Sequence, residues 1–320
     1  MSVLVTGAGL VGSQVARLEL KRGERVVVLD NNVRVDALGD IVDLGRIRVV
    51  RGDILNPYDI ARVTREEKVK SIVHTAAYPL LTLGAQSNPQ QAINVNVMGT
   101  CNVLEAARLF DVRRVVFASS NVIDTYVTEG AFGMPRPSSI YATSKLACEH
   151  MGLNYADWLG VDFVAVRFAA VFGPWRYGGG GGPTQLFKTL IENSLRGKRA
   201  ELPRETLEYV YSIDAARGAV FACHATGLRD RVFNITMNRL YGPEEIKEIV
   251  ESVLPKARIS LIDRARSGPT RRKQSLPSDG ESARQQLGYV PRYEMRRAIR
   301  EYAAWSRRLV LGNSRRKSLT

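Results

Sequence analysis

The sequence predicts an α/β protein in which a doubly wound parallel sheet is joined to a small C-terminal α+β lobe. Through the first half, short β-branched segments alternate with amphipathic helical segments. Apolar strands separated by helices are typical of βαβ units, whose parallel sheet is buried on both faces. After residue 170 this alternation ends, and a run of five glycines, Gly178–Gly182, precedes a different pattern of helices and short strands. That change indicates a separate lobe.

The individual elements follow from these patterns in chain order. We expect strands near 3–6, 25–30, 47–51, 71–74, 114–118 and 161–167, with helices near 10–22, 57–67, 88–110 and 140–159 between them. Later helices are predicted near 184–197, 212–226, 243–253, 280–287 and 294–308, with a strand near 257–262.

Composition limits the classes of function. The 320-residue chain carries a formal net charge of +14 and is 45% hydrophobic, which excludes a disordered chain. Apart from Arg271–Lys273 and Arg315–Lys317, its basic residues are spread out and accompany no nucleic-acid motif, so we expect no nucleic acid partner. With no long apolar segment, we expect a cytoplasmic protein and no membrane partner. The cysteines and histidines are scattered, which argues against disulfides and a metal site: Cys101, Cys148, Cys223, His74, His150 and His224.

A glycine pattern marks the first strand-to-helix turn. Gly7, Gly9 and Gly12 form a GxGxxG between the first strand and the first helix. Gly7 permits the tight turn, Gly9 lets the backbone approach a pyrophosphate, and Gly12 lets helix and strand pack closely. The helix begins near Leu10 and Val11, where free N–H groups attract phosphate. The turn therefore predicts a dinucleotide site.

An acidic residue at the end of the second strand selects the cofactor. Asp30 lies about 20 residues beyond the glycines, where a carboxylate accepts hydrogen bonds from the adenosine ribose. A 2′-phosphate beside Asp30 would be repelled, so the sequence favours NAD over NADP, with Asn31 beside it in the site and Arg34 nearby. Residues 1–170 then form an NAD-binding Rossmann domain, rejoined by residues 212–236, while 171–211 and 237–320 form the substrate-binding lobe.

Three residues predict alcohol or carbonyl chemistry. Tyr141 and Lys145 are four residues apart and share one face of a predicted helix. A nearby ammonium, together with a positively charged nicotinamide ring, favours the phenolate and lowers the pKa of the tyrosine, which then accepts a hydroxyl proton. Ser119 and Ser120 end a predicted strand, and a hydroxyl there orients a substrate oxygen. We expect Ser120 to be the catalytic serine.

These motifs together resemble the extended short-chain dehydrogenase/reductases, the NAD-dependent epimerase/dehydratase family. The matching segments run in the family's order over nearly the whole chain and include Asp53-Ile54, His74–Ala77, Asn96–Thr100, Leu104–Ala107, Arg167, Phe172–Pro174, Tyr209–Asp214 and Leu287–Pro291. The resemblance implies that Asp53 and Ile54 flank the adenine, that Thr75, Ala76 and Ala77 line the cofactor, and that Phe168 lies near the nicotinamide. It also assigns Asn96 to the cofactor site.

Four positions differ from the family pattern. The glycine turn is one residue shorter than TGxxGxxG, and Asn121-Val122 replaces the Asp-Glu pair of sugar-nucleotide dehydratases. Ala170 and Leu207 stand where sugar-nucleotide enzymes carry the Asn and Arg that hold the substrate diphosphate. These two changes argue against a nucleotide sugar, and the chain also resembles short-chain-type L-threonine 3-dehydrogenases. The expected substrate contacts are Ser120, Asn121, Tyr141, Arg176 and Thr184, with Arg176 binding a carboxylate.

The sequence leaves the function open between three alternatives. The favoured one is NAD-dependent oxidation of a secondary alcohol in a small polar substrate of the sugar-acid, hydroxy-acid or amino-acid type. The alternative is an NAD-dependent epimerase of a sugar or nucleotide sugar, with no net redox change. A dinucleotide-sensing binding protein is the third, and the Ser120–Tyr141–Lys145 set argues against it. Because the helices near 88–110 and 140–159 resemble the family's dimer face, we expect a homodimer.

Overall fold

The computed structural model describes residues 1–125, 127–129, 135–177, 181–263 and 276–317. Its strands are β1 (Ser2–Thr6), β2 (Arg25–Asp30), β3 (Arg48–Arg51), β4 (Ser71–His74), β5 (Arg114–Ser120), β6 (Val127–Glu129), β7 (Pro135–Pro137), β8 (Phe163–Phe168), β9 (Ala170–Phe172), β10 (Arg199–Pro203), β11 (Leu207–Tyr211), β12 (Val232–Ile235), β13 (Leu240–Tyr241) and β14 (Arg258–Ile262). Its α-helices are α1 (Leu10–Lys21), α2 (Val35–Gly39), α3 (Pro57–Glu66), α4 (Leu81–Ser87), α5 (Pro89–Ile93), α6 (Gly99–Leu109), α7 (Val122–Thr125), α8 (Ile140–Leu159), α9 (Gly182–Leu195), α10 (Ser212–His224), α11 (Pro243–Val253), α12 (Glu281–Leu287) and α13 (Met295–Lys317).

A parallel sheet organises the first half of the chain. Within the described residues it has seven strands in the order β12-β8-β5-β4-β1-β2-β3, and every neighbouring pair is parallel. The strands are rich in valine and isoleucine because helices cover both faces, so inward and outward side chains are both buried. The predicted doubly wound α/β fold is confirmed. Its carboxyl strand ends share one edge, where α/β proteins bind ligands.

Local sequence signals explain where α8, the helix that carries Tyr141 and Lys145, begins and ends. Ser139 precedes α8, and its hydroxyl accepts a hydrogen bond from the Ala142 N–H at 3.1 Å. Gly160 ends the helix in the left-handed conformation, with φ of 72°. The predicted bounds of this helix, 140–159, therefore agree with the structure.

The helix predicted over 88–110 is not continuous. It divides into α5, a π-helical turn at Asn94–Met98, and α6. The Thr100 hydroxyl donates to the Asn96 carbonyl at 2.5 Å inside this turn. A π-turn adds a residue to the helix and redirects its side chains, and such turns are frequent at functional sites. Here the buried residue of the turn is Asn96.

The later chain builds two small sheets and a second core. Strands β10 and β14 pair in parallel, and β13, β11 and β9 form a three-stranded sheet. This core combines aliphatic and aromatic residues, and the Phe172 and Phe187 rings are stacked 4.1 Å apart. In contrast, α10 packs on α1 and β12 pairs with β8, so residues 212–235 return to the large sheet. The exact domain boundaries remain a prediction.

The length and hydrophobicity of a helix decide whether it can span a lipid bilayer. None of the helices within the described ranges is both long enough and apolar enough to cross a membrane.

Candidate active site

A cavity of about 670 Å³ opens along the carboxyl edge of the large sheet. Its walls come from the β1–α1 turn, from the ends of β2, β3, β4, β5 and β8, and from the start of β11. Most predicted site residues line it: Gly7, Gly9, Leu10, Val11, Gly12, Asp30, Asn31, Asp53, Ile54, Thr75, Ala76, Ala77, Ser120, Asn121, Tyr141, Lys145 and Phe168. Residues from distant parts of the chain therefore meet around one cavity.

The glycine turn has the shape that a pyrophosphate requires. A Cβ on Gly7 would lie 2.7 Å from the Ala76 nitrogen, and one on Gly12 would lie 1.9 Å from the Gly7 oxygen. Gly9 has no neighbour within 4 Å of a built Cβ, so it leaves open space beside the backbone. Gly9 also precedes α1 without supplying a side-chain cap, so the N–H groups of the first turn remain available to an anion.

Two carboxylates stand at the far end of the glycine turn. Asp30 accepts hydrogen bonds from the Ala8 N–H at 2.8 Å and the Asn32 N–H at 2.7 Å, which fixes its carboxylate. Asn31 donates to Asp53 at 3.0 Å. Two acidic groups here repel a 2′-phosphate and accept hydrogen bonds from ribose hydroxyls, so the residues fit NAD.

Arg34, the cation nearest to Asp30 in the sequence, is held elsewhere. Its guanidinium lies over the Tyr177 ring, 5.1 Å from the centroid. A guanidinium stacked on an aromatic face gains cation–π attraction there. The contact keeps the Arg34 guanidinium on the Tyr177 ring.

Tyr141 and Lys145 meet on one face of α8, as their spacing predicts. The Lys145 ammonium donates to the Ala118 carbonyl at 2.6 Å and lies 5.8 Å from the centroid of the Tyr141 ring. Burial lowers the pKa of Lys145 to about 8. Burial also raises the pKa of Tyr141, and a hydrogen bond with Ser120 acts in the opposite direction. Burial has the largest influence on the Tyr141 pKa here, and the lowering expected from Lys145 together with a positively charged nicotinamide stays a prediction.

The two serines at the end of β5 point in opposite directions. Ser119 is buried and donates to Glu149 at 2.5 Å, in the protein interior. Both serines line the cavity, and the Ser120 hydroxyl is the one that also contacts Tyr141. Alternation along a strand explains the difference, since successive side chains lie on opposite faces. The geometry supports Ser120 rather than Ser119 as the serine that meets a substrate.

A buried ion pair, which sequence reasoning missed, supports this edge of the sheet. Arg167 on β8 donates to both oxygens of Glu149, at 2.9 and 2.7 Å, and to Asp124 at 2.8 Å. Glu149 lies one helical turn beyond Lys145, and that i+4 spacing is the signal that predicts a shared face. The pair joins α8 to β8 directly behind Ser119.

His74 also supports the elements that line the cavity, a role that the sequence did not predict. Its Nδ1 lies 2.6 Å from the Thr6 hydroxyl, and its Nε2 lies 3.1 Å from the Thr100 hydroxyl. Burial, together with the charge of Lys145, lowers the pKa of His74 to about 3, so the ring is neutral. The histidine connects β1, β4 and α6 beneath the cavity.

Asn96 positions other residues and does not line the cavity. Its side chain accepts from the Tyr78 N–H at 2.8 Å and donates to the Ser144 hydroxyl at 2.9 Å. The side chain is almost fully buried and both of its polar groups are engaged. These contacts give Asn96 a supporting role for the Tyr78 loop and α8, and its direct contact with the cofactor stays a prediction.

The two remaining substrate predictions are also not supported. Arg176 lies outside the cavity lining, and its guanidinium donates to both oxygens of Asp40 at 2.8 Å. Thr184 is buried and its hydroxyl donates to the Val171 carbonyl at 3.0 Å. Both side chains are turned to protein partners, and at this end of α9 the cavity is lined by Gly181, Gly182 and Pro183 instead.

Comparison with known proteins agrees with this geometry. Residues 3–236 match the NAD dependent epimerase/dehydratase family. This chain belongs to the NAD dependent epimerase/dehydratase family. As the family description states, its cofactor is NAD, and the predictions of an enzyme and of NAD are confirmed.

Individual family members resemble it over most of their length. A UDP-glucuronate 4-epimerase of Arabidopsis thaliana is 28% identical over 95% of this chain and 71% of its own length. The UDP-glucose 4-epimerase of Lacticaseibacillus casei is 28% identical, with 90% and 91% covered. The crystal structure of Thermus thermophilus UDP-glucose 4-epimerase with NAD is 27% identical, has a TM-score of 0.80, and is covered to 99%, against 96% of this chain.

The family's usual diphosphate positions are apolar in this member. Ala170 and Leu207 both line the cavity, on the adjacent strands β9 and β11. Glu205 and Glu208 line it beside them. Two other sequence features, Gly178–Gly180 of the glycine run and Arg271–Lys273, lie outside the described residues.

One group with metal-ligand side chains occurs among the described residues. Glu19, Cys223 and His224 bring their ligand atoms within 4.8 Å of one another, at the end of α1 opposite the glycine turn. His224 bonds Glu19 at 2.8 Å, and Arg113 donates to the Cys223 carbonyl at 2.9 Å. The adjacent arginine disfavours a bound cation, so the contacts are those of a structural pair.

Proposed function

We propose that this family member is an NAD-dependent epimerase that inverts a secondary alcohol carbon of a nucleotide sugar. The observation that carries the proposal is the common lining of one cavity by the glycine turn, Asp30 and the catalytic set Ser120, Tyr141 and Lys145. The similarity to 4-epimerases of UDP-glucuronate and UDP-glucose supports epimerisation over net oxidation, and it makes those sugars the first substrates to test.

The proposed chemistry divides between three side chains. NAD, when bound, would supply a nicotinamide ring as the acceptor and later the donor of the hydride from the reacting carbon. Tyr141 receives the proton of the substrate hydroxyl, and Ser120, which contacts it, donates a hydrogen bond to the same oxygen. The Lys145 ammonium, 5.8 Å from the Tyr141 ring centroid, stabilises the negative charge on the phenol oxygen. Inversion requires the oxidised sugar to present its opposite face before Tyr141 gives the proton back.

A second candidate is net oxidation of a small polar alcohol, as the sequence favours. The observation behind it is the apolar lining at Ala170 and Leu207. Neither side chain offers a charge or a hydrogen bond to a diphosphate, and a desolvated diphosphate without partners is costly. A compact substrate has no such requirement.

One experiment separates the two candidates. The purified protein is incubated with NAD and either UDP-glucose or UDP-glucuronate, and the C4 epimers are separated by anion-exchange chromatography while NADH absorbance is followed. Epimer formation without NADH is expected. In Tyr141→Phe the rate should fall by about 100-fold or more, because the proton acceptor is lost. Tyr58→Phe, which changes a tyrosine exposed on α3, is the matched control and should keep the wild-type rate.

The other outcomes are equally informative. NADH that accumulates with hydroxy acids, sugar acids or L-threonine, and that is lost in Tyr141→Phe, would establish the dehydrogenase. If no substrate of either class reacts while NAD binds tightly, both candidates are contradicted and the binding-protein alternative gains support.

We also propose that the protein is a homodimer. Leu109 at the end of α6 and Trp158 and Leu159 at the end of α8 are exposed apolar side chains, and Trp158 is 81% exposed. The two helices are packed together, and Tyr155 on α8 donates to Glu105 on α6 at 2.6 Å. Exposed apolar side chains near the ends of two packed helices are a reason to expect a protein interface there.

A further inference from the structure

A short segment outside the cavity lining fastens two walls of the cofactor end together. Val171 and Gly181 both line the cavity, so the chain leaves the wall after β9 and returns to it before α9. In between, Trp175, Arg176 and Tyr177 are bound to α2 and to the start of α1. We call these three residues the retention strap.

The polar part of the strap is a cluster on α2. Arg176 makes two hydrogen bonds of 2.8 Å to the carboxylate of Asp40, the bidentate geometry that is strongest for arginine. The Tyr177 hydroxyl donates to Asp36, and the Arg34 guanidinium covers the face of the Tyr177 ring. Since Asp40 is only 17% exposed, its pairing with Arg176 is partly shielded from water.

The apolar part of the strap lies against the glycine turn. Trp175 is buried and packs on Leu10 and Ala37. Leu10 is the first residue of α1 and lines the cavity where the pyrophosphate is expected. Ala37 belongs to α2, which begins four residues after Asn31, another lining residue. The strap therefore covers the outer side of the phosphate- and ribose-binding elements.

From these contacts we propose that the retention strap slows the release of NAD and NADH by holding α2 and the start of α1, which flank the cofactor end of the cavity, in place. The three strap residues are positioning residues, because none of them lines the cavity. Moving α2 and the start of α1 away from the strap requires breaking the Arg176–Asp40 and Tyr177–Asp36 contacts and separating Trp175 from Leu10.

Slow release suits an epimerase. A cofactor that regains its starting oxidation state in every cycle has no need to leave, whereas a dehydrogenase must exchange NADH for NAD. The inference rests on the NAD site of the proposed function and is independent of the sugar substrate.

The test measures NADH release without any sugar. Protein loaded with NADH is mixed with excess NAD in a stopped-flow instrument, and the decay of bound NADH fluorescence gives the release rate. Arg176→Met removes both hydrogen bonds to Asp40 and is expected to accelerate release by about 5- to 30-fold, the effect of one or two kcal/mol. Tyr177→Phe removes one hydrogen bond and is expected to accelerate release by about 2- to 10-fold.

Two controls make the result specific. Arg284→Met breaks a pair of similar charge with Glu281 on the exposed surface of α12 and should release NADH at the wild-type rate. Exchanging the partners, Arg176→Asp with Asp40→Arg, should restore slow release, which a general loss of folding would not do.

The proposal is overturned if folded Arg176→Met releases NADH at the wild-type rate. If Arg176→Met does not fold, Tyr177→Phe decides, since it keeps the aromatic ring, and an unchanged rate in it overturns the proposal. Faster release in the variants of a protein that epimerises no sugar would support the strap and contradict only the proposed substrate.

Discussion

Lys145 is a charged side chain that is only 3% exposed, and burial lowers its pKa from 10.5 to about 8. Its ammonium contacts the Ala118 carbonyl and the Phe117 ring, and the charge of Glu149 partly offsets the cost of burial. Protein interiors seldom hold a lysine under these conditions unless its charge is used. We interpret the buried charge of Lys145 as a feature that serves function and lowers stability.

We predict that Lys145→Met abolishes turnover and stabilises the fold at neutral pH. Below pH 8 wild-type Lys145 is protonated in both states, so the full cost of burying its charge is present. Between pH 8 and 10.5 the unfolded chain binds more protons than the folded one, so wild-type stability rises with pH in this window. The advantage of the variant should therefore shrink by about 3 kcal/mol across it.

Urea unfolding of both proteins at several pH values measures this difference, because all other titrating groups are common to the two. A stability difference that does not depend on pH would contradict the prediction. Turnover retained by the variant would remove Lys145 from the catalytic set.

At the scale of secondary-structure elements, one carboxylate connects three of them. Glu149 on α8 binds Arg167 on β8 and Ser119 on β5, and Ser119 and Arg167 are register partners in the sheet. Glu149 is 2% exposed, so its charge depends on these partners. The connection holds the strand end that carries Ser120 against the helix that carries Tyr141.

We predict that Glu149→Leu lowers the free energy of unfolding by about 3 kcal/mol, because it leaves the Arg167 guanidinium without its buried partner. The double variant Glu149→Leu with Arg167→Leu should lose less free energy of unfolding than the sum of the two single changes. The second change removes the Arg167 charge that the first leaves without its buried partner. A double-mutant cycle by urea denaturation measures the coupling. Additive effects of the two changes would show that the pair does not act as a unit.

At the scale of the whole molecule, the exposed end of α8 is the feature that the monomer leaves unexplained. Trp158 is 81% exposed near the carboxyl end of the helix that carries Tyr141 and Lys145. A second copy that covers α6 and α8 would bury this ring. It would also restrict the motion of the helix under the active site.

We predict that the wild-type protein sediments as a dimer and that Trp158→Glu sediments as a monomer, because a carboxylate cannot be buried in an apolar interface without a partner. Sedimentation velocity over a range of concentrations is the measurement. Tyr58→Glu makes the same kind of change at an aromatic side chain exposed on α3 and should leave the dimer intact. A monomeric wild type, or a dimeric Trp158→Glu, would exclude this interface.

Much of the fold and of the site was predictable because it depends on local rules. Strand and helix periods gave the order of elements and the parallel sheet, and the bounds of α8 followed from Ser139 and Gly160. The glycine turn, Asp30 and the Tyr141–Lys145 spacing were equally readable, because a positive φ, a strand end and a helical turn each restrict a few adjacent residues. The family's long-range pattern added Asp53, Ile54 and Phe168, all of which line the cavity.

The remaining properties were decided by contacts between distant residues. Arg176 was expected to bind substrate, but its partner Asp40 is 136 residues away in the sequence, and only the folded chain brings the two together. Asn96 was turned to Tyr78 and Ser144 by a π-helical turn that a helical period does not predict.

The sequence by itself thus determined the sheet and the cofactor, and it predicted the set of catalytic side chains. The tertiary structure decided which of these side chains face the cavity and how easily each one is ionised. The pKa of Tyr141 is raised because the residues packed around its side chain exclude water. The four-residue spacing between Tyr141 and Lys145 does not specify that packing. Short segments of sequence determine local backbone geometry. The desolvation and ion pairing of side chains arise only when distant segments pack together.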